Sequence, residues 1–323
     1  MANRTEVQPQ AEATPVRAGP VVRAAPLQRY AAPAIFLLPA TVLIVLFFLV
    51  PVATTLYLSM TDISVLTFRN PQWAGLENYR TLLRDPFMGK ILLNTARYVG
   101  FTLLFNVGMG LVLALLSTSV PERYGNQMRA LWLLPRIVPP VVYVLIWQGL
   151  SRDAPFGLIS SLTGSTGSFI SDHPWATIIL ANGMVGASFG LLIFTSAIRS
   201  ISQDLFYAAA VDGATTLQTI RRIVLPMLKW PILFVTAYQT LSLLTSFEYI
   251  LLLTQGGPGF YTTTVWSLHA YNLALSNYFG NVQFGLGAAM AAVLVVIGII
   301  VSVLYLRIFN FRALVAEPKI EVN

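Results

Sequence analysis

Six apolar runs dominate the chain, at residues 33–58, roughly 91–118, 129–149, 175–198, 229–253 and 281–309. A hydrocarbon core about 30 Å thick takes about 20 apolar residues as a helix. Helix is the form such a run must take there, because lipid offers no partner to an unpaired N–H or C=O. The expectation is therefore an all-α, polytopic membrane protein with six transmembrane helices. A composition 56% hydrophobic and only 10% charged lies outside the range of soluble domains and agrees with that reading. Pro51 is expected to kink the first run, and Pro135, Pro139 and Pro140 interrupt the third. Prolines are tolerated in spans where neighbouring helices pair the freed carbonyls.

The polar remainder sets the order of the chain. Residues 1–29 are rich in Ala, Pro and Arg and read as a disordered tail. Residues 30–312 form one membrane domain, and 313–323 a short charged tail. With six crossings both ends lie on one face. The N-terminal tail, the loop 121–136, the segment after the fourth run and the C-terminal tail hold 14 of the 20 Lys and Arg, the other face six. Basic residues gather on the cytoplasmic side, so both termini are expected there. The net charge of +7 thus reads as basic membrane-facing loops rather than a nucleic-acid surface. The chain has no cysteine and two histidines, which excludes disulfides, thiol chemistry and a His-rich metal site. It also carries no GxxxxGK[ST] phosphate loop, no HExxH and no GxSxG, so neither nucleotide binding of that kind nor catalysis is expected of it.

Between the fourth and fifth runs, residues 200–228 form the most polar-punctuated segment, including YAAAVDGATTLQTIRRIVLP at 207–226. Ser202 is placed to cap a helix whose first turn holds Asp204, and Ala208, Ala209 and Ala210 favour its continuation. Asp212-Gly213 ends it, because Gly takes a positive φ at little cost. Thr215 and Gln218 have the spacing of a capping box for a second helix, which puts Leu217, Ile220 and Val224 on one face. Pro226 is expected to stop or kink that helix by disfavouring helical geometry at Leu225. The prediction is a helix–Gly–helix elbow.

This elbow resembles the cytoplasmic EAA loop of binding-protein-dependent ABC importer permeases. Ala208-Ala209, Asp212-Gly213-Ala214, Ile223 and Leu225-Pro226 match that pattern in order and spacing, while Tyr207 stands where the family usually has Glu. Gly75-Leu76-Glu77-Asn78-Tyr79, Leu253-Thr254-Gln255-Gly256-Gly257-Pro258, Thr262-Thr263-Thr264 and Tyr271-Asn272 resemble the sugar-type (maltose/glycerol-phosphate-like) branch. The resemblance implies a non-catalytic transmembrane subunit of an ATP-driven importer of a sugar, oligosaccharide or sugar derivative, in the cytoplasmic (inner) membrane of a prokaryote. Its partners would be a second permease subunit, two ATPase subunits that hold ATP and Mg, an extracytoplasmic solute-binding protein and membrane lipid. Tyr207, Ala208, Ala209, Asp212, Gly213, Ala214, Leu225 and Pro226 would be the ATPase-coupling residues. An ion-coupled secondary transporter is the alternative; it predicts paired ionisable residues in mid-span, and Glu248 is the single acidic candidate.

Polar side chains inside the spans suggest a substrate path. Asn182, Gly186 and Phe189 share a face of the fourth span by their i, i+4, i+7 spacing. Gln239, Ser242 and Ser246 do so on the fifth, with Glu248 and Tyr249 near its outer end. Amides, hydroxyls and aromatic faces are what a sugar needs, but amides and hydroxyls in spans also serve as interhelical glue worth about 0.6 kcal/mol a pair. Both readings stand at this level. Gly285, Gly287, Ala288, Ala289, Ala291 and Ala292 form a close-packing surface on the sixth span.

Overall fold

The computed structural model describes residues 26–164, 167–276 and 282–309. The C-terminal tail and residues 1–25 of the N-terminal one lie outside the described residues. The chain divides into a unit ending at Ala53 and a larger unit from Thr54. In the first, α1 (Pro26–Ile44) leads through a π-helical turn, Val45–Leu49, into the start of α2 (Val50–Leu58), whose residues from Thr54 on belong to the second. Helix thus begins inside the stretch read as tail, with a proline at its first position, where a missing N–H costs nothing. The wide turn surrounds the carbonyl that the Pro51 ring would otherwise strike, and the span continues as one helix, Ile35–Leu58.

The second unit continues with α3 (Glu77–Arg84), α4 (Met88–Ser119), α5 (Glu122–Ile137), α6 (Pro140–Leu150), α7 (Leu158–Thr163), α8 (Phe169–Asp172) and α9 (Pro174–Arg199). Then come α10 (Gln203–Val211), α11 (Thr216–Thr219), a π turn at Ile220–Val224, α12 (Leu225–Met227), α13 (Lys229–Thr245), α14 (Glu248–Thr254), α15 (Trp266–Leu275) and α16 (Phe284–Ile308). No strand occurs among the described residues, which hold one isolated bridge, Thr61 to Trp73.

Four helices, Ile35–Leu58, α4, α9 and α16, are each long and apolar enough to cross a membrane. The third expected span is instead the pair α5 and α6, bent by 99°. Val138 is extended there (ψ 132°) because Pro139 follows it, and Pro140 opens the next helix. The fifth is broken too: Ser246 leaves helical geometry (ψ 129°), separating α13 from α14. No proline marks that break. Side chains of other helices stabilise it, as described below.

α4 and α9 form the central pair. Their contacts advance together along both helices, Tyr98 with Asn182, Asn106 with Gly186 and Gly110 with Gly190, so the two run parallel. The chain between them must therefore return along the bundle through α5–α8. A Cβ on Gly110 would lie 2.9 Å from the Ala187 carbonyl and 3.0 Å from Gly190 Cα, so this crossing is backbone against backbone. α13 runs antiparallel to α9, with Gln239 beside Gly186 and Ser246 near Tyr98. α16 finishes beside the start of α13, where Phe309 stacks on Trp230 at 5.7 Å. One end of the bundle thus gathers Ser119, Arg199, Lys229 and Phe309. Of the glycine and alanine positions on α16, Gly285, Gly287, Ala288, Ala289 and Ala292 are buried, and Gly287 meets the α15 backbone at Ala274.

Candidate coupling elbow and mid-bundle polar cluster

The elbow is built as its sequence dictates. Ser202 Oγ accepts from the Asp204 amide at 3.3 Å and caps α10. At the other end Gly213 has φ +69°, its N–H donates to Ala210 O at 3.1 Å, and the Ala214 N–H reaches Ala209 O at 2.9 Å. Those two bonds are the Schellman pair, 5→2 and 6→1, which satisfy carbonyls that a helix end otherwise leaves open. The capping box is complete: Gln218 N–H donates to Thr215 Oγ1 at 3.4 Å and Thr215 N–H to Gln218 Oε1 at 2.8 Å. Every turn of the elbow is therefore held by local hydrogen bonds.

Pro226 departs from expectation. Leu225 stays helical (φ −60°, ψ −43°), and a π turn over Ile220–Val224 absorbs the proline by widening the ring of backbone bonds ahead of it. The helical path continues to Leu228, where ψ rises to −1°. Val224 and Leu228 insert among Leu113, Leu191, Phe194 and Ile198 of α4 and α9, which anchors the elbow to the bundle. Leu217 does not share that burial: it is 73% exposed, like Tyr207 at 66% and Val211 at 88%. Ala209 is buried, whereas Ala208, Asp212, Gly213 and Pro226 are exposed and Ala214 half-buried. Behind the elbow, a cavity of about 640 Å³ separates α10 and α11 from the ends of α4 and α9. The Arg199–Glu122 ion pair, 3.3 Å, spans part of its wall.

In mid-bundle the expected path residues divide. Asn182 is buried and its Nδ2 donates to Tyr98 Oη at 2.9 Å, while that hydroxyl and Ser246 Oγ lie 3.2 Å apart. Gln239, also buried, donates from Nε2 to Gly186 O at 2.8 Å, and its amide meets that of Asn106 at 3.0 Å. The space beside Gly186 holds the Asn106 side chain, which a Cβ there would overlap. Ser246 sits at the helix break rather than on a continuous face with Gln239 and Ser242, and its carbonyl accepts from Ser267 Oγ of α15 at 3.0 Å. Contacts from α4 and α15 therefore satisfy polar groups that the break exposes.

The remaining members are more open. Ser242 and Glu248 are exposed, and Glu248 lies in the first turn of α14, where the helix dipole favours a carboxylate. Tyr249 is half-buried and packs edge-on against Tyr143 with ring centroids 6.1 Å apart. Phe189 stacks on Tyr238 at 4.6 Å. Arg136 escaped the sequence reading, which counted it among the loop cations. It lies in α5, its Nη1 is 3.4 Å from Ser188 Oγ, and its guanidinium carbon is 5.9 Å from the Phe189 ring centroid. The signal was a cation inside an apolar stretch.

At the far end, the Gly-Gly-Pro motif is a compact turn. Gly256 has φ +87°, Thr263 Oγ1 donates to Gly257 O at 2.8 Å, and Asn94 of α4 donates to Tyr261 O at 2.9 Å. His269 lies against Tyr261, and burial pushes its imidazole pKa down, with the Asp85 carboxylate opposing. Asn78 ties α3 down by donating to Ser59 O and Thr61 O, both at 2.8 Å.

Known proteins share this architecture. A crystal structure of a bacterial ABC transporter involved in the import of the acidic polysaccharide alginate contains a chain with TM-score 0.72 and 24% identity, covering 90% of this chain and 98% of that one. A probable ABC transporter permease of Sinorhizobium fredii is 30% identical over 232 residues, 69% of this chain and 73% of the relative. The sulfoquinovosyl glycerol transport system permease of Agrobacterium fabrum is 29% identical over 282 residues, 84% of this chain and 88% of its own length. The trehalose/maltose permease of Thermococcus litoralis is 27% identical, covering 83% and 90%. Residues 106–313, from the Asn106 contact through the elbow to the end of α16, match the profile of a single family. The chain belongs to the inner membrane components of binding-protein-dependent transport systems.

Proposed function

We propose that this chain is the transmembrane subunit of an ATP-driven importer for a sugar, oligosaccharide or sugar derivative, working by alternating access. The sugar class is supported by relatives named for sulfoquinovosyl glycerol and for trehalose and maltose. The observation that carries the mechanism is the elbow itself. It is locally prefolded, presents apolar Tyr207, Val211 and Leu217 outward, and is rooted through Val224 and Leu228 in the core between α4 and α9. A force applied to it reaches the central helix pair directly.

In this reading the chain makes six crossings, with the bent pair α5–α6 as the third and the broken pair α13–α14 as the fifth. Both termini and the elbow face the cytoplasm of a prokaryotic cell. The Arg136 position removes one cation from the cytoplasmic count without reversing its sign. A second permease subunit completes the pathway, two ATPase subunits bind ATP and Mg and dock on the elbows, and an extracytoplasmic binding protein delivers the sugar. This chain contributes no catalytic group. ATP shifts the equilibrium between inward- and outward-open forms because the closed ATPase pair binds one of them better. Ser242, Glu248, Tyr249 and Phe189 offer the open polar and aromatic groups of the path, and Asn182 and Gln239 brace its walls.

Gly213→Val tests the coupling role. No atom lies within 4 Å of a Cβ built on Gly213, so the substitution acts by backbone strain alone, roughly 1–3 kcal/mol at a positive φ. Membrane insertion should stay normal while sugar uptake and binding-protein-stimulated ATPase activity of the reconstituted importer fall at least tenfold. Unchanged uptake with unchanged stimulation would remove the elbow from the coupling step.

A further inference from the structure

Among the described residues Arg136 is a cation without a carboxylate partner. The three ion pairs among the described residues, Arg80–Glu77, Arg84–Glu77 and Arg199–Glu122, all lie elsewhere. Its depth follows from its neighbours: Ser188 and Phe189 sit midway along α9, a helix of 26 residues that is itself a candidate span. At 1.5 Å per residue, each end of α9 is about 15–20 Å away. A guanidinium that deep cannot reach the headgroups from its own position. Charged side chains at membrane depth face a bundle interior or a wet cavity, and Arg136 is exposed rather than enclosed. Its place in α5, which packs on α9, sets it next to the Phe189–Tyr238 stack.

A second charged group of the proposed path lies on α14. Glu248 is exposed in the first turn of that helix, and the neighbouring Tyr249 packs on Tyr143. One fixed cation, one acceptor carboxylate and flat aromatic faces make an uneven set. Sugar hydroxyls can donate to Glu248, and the C–H face of a sugar ring can lie on an aromatic ring. A hydroxyl oxygen can accept a single guanidinium N–H, as Ser188 does, but a carboxylate or sulfonate takes the planar donors in bidentate, charge-assisted fashion.

We infer that Arg136 is a specificity-determining residue of the translocation path, selecting a sugar that carries an acidic group, a carboxylate or sulfonate. This rests on the sugar-importer reading and narrows it. The Phe189–Tyr238 pair beside it then takes the apolar face of the same ligand.

The test uses the importer assembled with its second permease subunit and ATPase subunits in lipid nanodiscs, without the binding protein, whose own selectivity would mask the path. Glucuronate, glucose and glucosamine share a ring and differ in charge. Each is titrated against the melting temperature of the complex. Glucuronate should protect at a concentration at least tenfold below that of glucose, as a charge-assisted bidentate contact implies. Arg136→Gln should erase the difference, and Arg136→Lys should keep part of it. Equal protection by glucuronate and glucose, preference for glucosamine, or a preference that survives Arg136→Gln would overturn the assignment of Arg136 while leaving a sugar importer. Assembly of Arg136→Lys but not of Arg136→Gln would also overturn it, since the charge would then serve a subunit contact. Protection by none of the three sugars would count against the sugar reading itself.

Discussion

The elbow and the mid-bundle polar cluster are both rich in hydrogen bonds, yet they are held in opposite ways. In the elbow the bonded partners are two to five residues apart in sequence: Ser202 with Asp204, Ala214 with Ala209, Thr215 with Gln218. In the cluster they are 53 to 148 residues apart: Gln239 with Gly186, Asn182 with Tyr98, Tyr98 with Ser246. The elbow is thus a rigid piece that can move as a body, with exposed apolar side chains for a partner. The cluster is a set of ties that fixes α4, α9 and α13 relative to one another. In the proposed mechanism one region transmits motion and the other defines what moves together.

That contrast breaks first at the α4–α9 crossing. Gly110→Val puts a branched side chain against the Ala187 carbonyl and the Gly190 backbone, which have no room to retreat. Overpacking of this kind costs about 3 kcal/mol. The expected result is a marked loss of folded, assembled protein, seen as reduced yield of monodisperse complex in detergent, with the elbow sequence untouched. Normal yield and melting temperature would show that the two helices are not in backbone contact.

A smaller effect separates bracing from binding. Gln239→Ala removes the partner of the Asn106 amide and the second bond to the Gly186 carbonyl, and Asn182→Ala removes one partner of the Tyr98 hydroxyl. Each should cost roughly 1–3 kcal/mol, read as a lower melting temperature with unchanged apparent sugar affinity. The opposite pattern, intact melting with sugar affinity weakened about tenfold, would return both residues to the substrate site.

Tyr207 sharpens the other half of the comparison with the smallest change. Its side chain is exposed and stands on α10 where the related motif has an acid, so we predict that it meets an ATPase subunit by packing or by its hydroxyl rather than by charge. Tyr207→Phe should leave assembly nearly intact, and Tyr207→Ala should weaken co-purification of the ATPase subunits. Full assembly and uptake with alanine at this position would mean that no such contact exists.

Much of this molecule was legible in the order of its residues. Apolar runs long enough to cross a bilayer dictate helices, because an apolar solvent leaves the backbone no other partner than itself. The capping residues, the positive φ at Gly213 and the capping box at Thr215 follow from chemistry within a few residues, and all appear where their spacing puts them. What the residue order could not decide were interactions between distant segments. A proline weakens helix locally, but whether it yields a 99° bend, as after Val138, or a π turn that hides it, as before Leu225, depends on what the neighbouring helices accommodate. The break at Ser246 carries no proline or glycine to signal it; the carbonyl it frees accepts from Ser267, and Tyr98 holds the Ser246 hydroxyl. The same holds for Asn182 and Gln239, whose amides could have faced a ligand or another helix, and for Arg136, which joins Phe189 only once α5 has packed beside α9. Periodicity assigns a side chain to a face of its own helix, while the neighbour on that face is chosen by packing, and packing is settled only in three dimensions.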